Sequence, residues 1–159
     1  MQHNSATFMQ VKESIFTTSR ATGTTTNGLE VDTRGFQEAL VILTASTVAA
    51  TSTLDVKMQD SADGSTGWAD VASATFVQVT PSNDEAIFVG RVKLNSYTAG
   101  TPGKFRAWLR PVGVTAGTGA SVYGVTVILL NYGQAASFDA VVANVAGTAT
   151  ARTLSFNFD

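Results

Sequence analysis

Residues 54–71, LDVKMQDSADGSTGWADV, constrain the fold more than any other stretch of the chain. Leu54, Val56 and Met58 alternate with Asp55, Lys57 and Gln59, the period-2 pattern of a strand with one buried face. The alternation breaks at 60–67 and a second strand begins at Trp68. Asp63-Gly64 marks the turn, because glycine accepts positive φ without cost and aspartate bonds its own backbone. The stretch therefore predicts a β-hairpin with a polar loop and an aromatic residue just past it, and it sets the class as all-β.

The flanking sequence repeats this grammar. Residues 11–18 (VKESIFTT) and 29–32 (LEVD) read as strands, separated by a Thr/Gly loop that ends in Asn27-Gly28. Residues 36–44 (FQEALVILT) are apolar on both faces from Ala39 onward, which suits a central strand buried on both sides. A helix is the competing reading there; Val41-Ile42 and the lack of a capping pattern favour the strand. Further strands are expected at 75–79 (TFVQV) and 86–94 (AIFVGRVKL), with Gly90 marking a bulge or a close packing contact. In 105–110 (FRAWLR), Phe105, Ala107 and Leu109 face one way and Arg106, Trp108 and Arg110 the other. Residues 112–120 read as a Gly-rich turn. Residues 122–131 (VYGVTVILLN) form the strongest strand, with Tyr123, Val125, Val127 and Leu129 on its core face. About eight short strands between Gly, Pro, Asn and Asp turns predict a jelly-roll-like β-sandwich with a C-terminal β extension.

Composition removes whole classes of chemistry. The chain has no cysteine, so disulfides, thiolate nucleophiles and cysteine-based zinc sites are excluded. Its single histidine, His3, lies in a short N-terminal arm and is a poor base for a catalytic triad. The Gly-rich 113–119 lacks the lysine of a phosphate-binding loop and stands between strands. Asp55 and Asp70 are a candidate carboxylate pair across the hairpin, but solvated strand acids explain them more simply. Asp60, Asp63, Asp84 and Glu85 offer loop oxygens of the kind calcium takes, against the simpler reading that aspartate is a turn residue. No metal, cofactor or catalytic residue is assigned, and the chain is expected not to be an enzyme.

Only 14% of residues are charged and the net charge is −2, against a usual charged share of about 25%. No positive field exists to draw nucleic acid or an anionic membrane. The longest apolar run, 125–130, falls far short of the ~20 residues that span a bilayer. Without an N-terminal basic or apolar signal, the chain is expected to be made as a soluble cytoplasmic protein. Its low charge suits a surface that lies against other protein. The outward row Arg106, Trp108 and Arg110 is the candidate partner-binding site, since Trp and Arg stack and pair well at interfaces; the plainer reading is a Trp covering a sheet face beneath Arg stems.

The run 54–80, LDVKMQDSADGSTGWADVASATFVQVT, follows FQEALVILTASTVAATST and precedes a Phe-Arg-Ala strand and 125–129 (VTVIL). Over about 30–131 this pattern resembles the small jelly-roll cement (decoration) proteins of tailed-bacteriophage heads. The resemblance implies a structural protein on the outside of an icosahedral virion, assembled in the host cytoplasm. There it would clamp capsomers of the major capsid protein shell together and associate with itself as a homodimer or homotrimer. The same hairpin is also similar to jelly-roll carbohydrate-binding modules, so a sugar- or receptor-binding module of a phage tail is the alternative.

The sandwich is expected to occupy residues 1–133. In 134–159, Phe138, Val141, Leu154, Phe156 and Phe158 are too apolar for a disordered tail. This segment is expected to form a β-hairpin-like extension or intersubunit arm.

Overall fold

The computed structural model describes residues 9–94 and 107–130. His3, Arg106 and the candidate arm residues Phe138, Val141, Leu154, Phe156 and Phe158 lie outside that range, as does the expected boundary at 133/134. Among the described residues nine strands follow one another: β1 (Met9–Arg20), β2 (Thr25–Asn27), β3 (Val31–Asp32), β4 (Glu38–Val48), β5 (Thr53–Ser61), β6 (Ala69–Thr75), β7 (Ala86–Lys93), β8 (Trp108–Ala116) and β9 (Ser121–Leu130). They form two antiparallel sheets. One has the order β1-β9-β4-β7; the other runs β2-β8-β5-β6, with β3 also paired to β8.

With β2 and β3 taken as two pieces of one interrupted strand, eight strands distribute between the sheets in jelly-roll order. The interruption has a local cause. Asn27 pairs with Val112 and Val31 with Leu109, so the gap falls opposite Arg110 and Pro111. Proline has no N–H to give a neighbour on that side. The chain instead passes Pro111 at Gly28, whose N–H donates to the Pro111 carbonyl (2.8 Å) and whose Cα leaves no room for a side chain beside the proline ring.

The core is what the alternation dictates. Ala39, Val41, Leu43 and Ala45 of β4 meet Tyr123, Val125, Val127 and Leu129 of β9 on one inner face. Leu54, Val56 and Met58 of β5 lie on the other. The segment expected as a strand at 36–44 is strand β4 from Glu38 and not a helix, although its outer face, with Leu40 and Ile42 half-buried and Thr44 exposed, is not buried as expected; the core face expected for β9 is the observed one. Burying a Leu or Val side chain is worth about 1.5–3 kcal/mol, and Leu43, Leu54 and Leu129 are each fully inaccessible.

Three expectations need correction. The Gly-rich 112–120 is not a turn: β8 runs on to Ala116 and the reversal is confined to 117–120. Gly113 is in the strand because Tyr123 packs against it; a Cβ there would sit 2.3 Å from the tyrosine hydroxyl. Residues 75–79 are not a separate strand. β6 ends at Thr75, and beyond it the backbone meets β5 through the Phe76 N–H to the Val56 carbonyl and a bridge between Leu54 and Val79. Finally, Asp60 and Ser61 belong to β5 and are buried, so the hairpin loop starts at Ala62. Gly90 is a close packing contact, as its Cβ would meet the Phe76 ring at 3.3 Å.

Candidate functional site

The hairpin loop between β5 and β6 is held by its own side chains. The Asp63 carboxylate accepts from the N–H of Ser65 (2.9 Å) and Thr66 (2.8 Å) through Oδ1, and from the Thr66 hydroxyl (2.7 Å) through Oδ2. Those bonds, the Thr66 N–H foremost, hold its pKa well below the usual carboxylate range. Buried Ser61 donates from Oγ to the Thr66 carbonyl (2.6 Å) and accepts from the Gly64 N–H (3.1 Å). Gly64 has φ +77°, and the Trp108 ring lies where its Cβ would be, 2.6 Å from Cδ2. Only glycine satisfies both demands.

Above the loop, the outer face of the five-stranded sheet carries a ladder of paired side chains. Trp108 stands between Asp32 of β3 and Ser61 of β5, with the Arg34 guanidinium 5.7 Å from its ring centroid. Arg34 in turn donates to both carboxylate oxygens of Asp32, from Nε at 2.9 and 3.1 Å. That pairing holds the Asp32 pKa below its ordinary value. Two residues along β8, the Arg110 guanidinium lies 4.1 Å from the Trp68 ring centroid, a cation–π distance. It donates to Gln59 Oε1 from Nη2 (2.8 Å), and Gln59 Nε2 donates to Asp70 Oδ1 (2.9 Å). Asp70 closes the chain by accepting from Lys57 Nζ (2.6 Å), which lowers its pKa. Desolvation on this face lowers the Arg110 pKa, although the ring and Gln59 hold the cation in place.

The outward row expected on β8 thus has Trp108 and Arg110 on one face, both half-buried, while Arg106 falls outside the described residues. Sequence reasoning missed their companions Arg34, Asp32, Gln59 and Trp68. These come from three other parts of the chain, and only the β3–β8–β5 register brings them together. Asp55 and Asp70 do not pair as a carboxylate couple: Asp55 accepts from Gln78 Nε2 (3.1 and 3.0 Å), and Asp70 from Gln59 and Lys57. The four acids considered for calcium also have other uses or places. Asp63 makes the turn, Asp84 accepts from the Val48 N–H (2.7 Å), Asp60 is buried in β5, and Glu85 is exposed at φ +53°. Among the described residues no three such groups converge.

An apolar cleft between Met58, Phe76, Gly90 and Val92 has room for roughly one water. What the arrangement offers a partner is a broad, ordered face with aromatic rings, cations and amide groups fixed in place.

The sequence matches no known family profile and no curated protein. Among solved structures, one titled as infectious bursal disease virus, Gx strain, shares 8% identity with a TM-score of 0.47, over 80% of this chain and 33% of that one. A second, the Gt strain, shares 15% identity with a TM-score of 0.27, over 79% of this chain and 43% of that one. The chain therefore spans a third to under half of the length of those proteins. At these values neither likeness assigns a function.

Proposed function

We propose that the chain is a non-enzymatic structural protein of a virion, and specifically a capsid cement (decoration) protein. It binds the outer surface of an icosahedral phage head and stabilises contacts between capsomers of the major capsid protein. The observation that carries this reading is the ordered Trp–Arg row on the outer face of β8. Aromatic and arginine side chains are the commonest anchors of protein interfaces. Here Gly64, Asp32 and Gln59 hold them in position before a partner arrives, which lowers the ordering cost of binding. The resemblance of 30–131 to phage-head cement proteins points the same way. A carbohydrate-binding module would use open ring faces, whereas Arg110 lies over Trp68 and Arg34 over Trp108.

The test is co-sedimentation with purified shells that lack the protein. Wild-type protein pellets with shells, whereas Trp108→Ala and Arg110→Ala bind at least tenfold more weakly while keeping the far-ultraviolet circular dichroism of a folded sandwich. Variants that bind like wild type remove this face from the interface. Retention on a glycan surface, with no retention on shells, overturns the cement reading in favour of the sugar-binding one.

A further inference from the structure

The two outer faces of the sandwich differ in chemistry. That of the five-stranded sheet is polar, its side chains bonded to one another. That of the four-stranded sheet is not. The pairing registers place Val11, Ile128, Leu40 and Arg91 in one row across β1, β9, β4 and β7. Glu13, Thr126, Ile42 and Val89 form the next row, and Ile87 stands beyond it opposite Thr44. Val11 is 56% and Ile87 43% exposed. Arg91 is matched, since it donates to Glu38 from Nη2 (2.8 Å) and also from Nε; exposed Lys93, opposite Glu38, and exposed Glu13 on β1 are the charges at the rim of the field.

An antiparallel sheet with one solvated face alternates apolar and polar residues. The runs ALVIL of β4 and VTVIL of β9 instead belong to strands covered on both sides. Contiguous apolar fields on a protein surface mark contact sites. All nine described strands lie in the two sheets, so no described strand forms a layer over this field.

The chain itself supplies an occupant of matching chemistry. β9 ends at Leu130, which lies opposite Glu38 on this same face, so residues 131–159 start from its rim. In that segment Leu154, Phe156 and Phe158 alternate with Ser155 and Asn157, one apolar edge at strand period. Asp139 and Arg152 are the only charges between 138 and 158, so little charge would need to be desolvated. Residues 131–153 reach roughly 70 Å when extended, against roughly 20 Å for the field, so length does not limit the contact.

We propose that the stretch 153–158 of this chain docks through Leu154, Phe156 and Phe158 on the apolar outer face of the four-stranded sheet. This does not rest on shell binding. It gives the arm expected from the sequence a defined seat.

The chain has no cysteine, so Ile87→Cys introduces a single thiol on this face, and its rate of maleimide labelling reports cover. In otherwise wild-type protein the thiol labels slowly. Adding Leu154→Asp and Phe156→Asp speeds labelling at least tenfold with unchanged circular dichroism, whereas adding Ser155→Asp, on the opposite edge of the stretch, leaves it slow. A rate that rises on dilution places the segment in a neighbouring copy, and a constant rate places it in the same chain; either supports the docking. Equally fast labelling in all variants overturns the proposal. So does equal opening by Ser155→Asp, or protection that appears only on shells, which makes the shell the occupant.

Discussion

Tyr123 shows how a single residue can be both necessary and imperfect. It is fully buried, its ring fills the space left by Gly113, and its hydroxyl has no hydrogen-bond partner among the described residues. A buried hydroxyl without a partner costs about 1–3 kcal/mol. Tyr123→Phe is therefore expected to unfold about 2–4 °C higher, the shift that roughly 1 kcal/mol produces in a domain of this size; a lower melting temperature would show that the hydroxyl is satisfied. Asp63 carries a prediction about pH. Its pKa is lower in the folded loop than in an unfolded chain, so its contribution to loop order is complete above the ordinary carboxylate value near 3.9 and fades as pH falls through the folded value. The chain's two tryptophans, Trp68 and Trp108, both flank this loop, so their emission reads the transition directly. It should hold steady from neutral pH to about 4 and shift only below that, and neither calcium nor a chelator should move it. Emission that changes with calcium would reveal an ordered metal.

At the scale of the element, β8 is where sequence and structure part company, and the reasons are physical. Gly113, Gly117 and Gly119 cluster as turn residues do, yet they serve different ends. Gly117 has φ +105°, a turn requirement, whereas Gly113 makes room for an aromatic ring from the facing sheet. No local pattern distinguishes those roles, because Tyr123 meets Gly113 only once the two sheets pack. The same holds for Trp68, whose ring could equally have been core. It lies half-buried under Arg110 because Gln59 and Arg110 are register partners. What was legible was alternation: the β5 hairpin, the inner face of β9 and the outward pair Trp108 and Arg110 all follow from period two, whereas β4, expected to be buried on both faces, is fully buried only on its inner one, with Leu40 and Ile42 half-buried and Thr44 exposed. Gly113→Ala should cost about 1–3 kcal/mol by overpacking. Combining it with Tyr123→Phe should recover part of that loss, since the hydroxyl is the nearest atom. A double-mutant cycle by urea denaturation measures the coupling, and strict additivity would mean that the two residues do not compete for space.

At the scale of the molecule, the jelly-roll order gives the described sandwich two unlike outer faces. One presents fixed tryptophan and arginine side chains, and the other a field of Val, Leu and Ile. The proposed cement role would set the first face against the shell, and the proposed seat of residues 153–158 is the second. The measurement that tests this most directly is titration of the purified protein onto shells that lack it, followed by sedimentation and by thermal melting of the loaded shells. Saturation at a fixed copy number per shell subunit, with a raised shell melting temperature, is the predicted result. Binding that never saturates, or saturable binding that leaves shell stability unchanged, would contradict it.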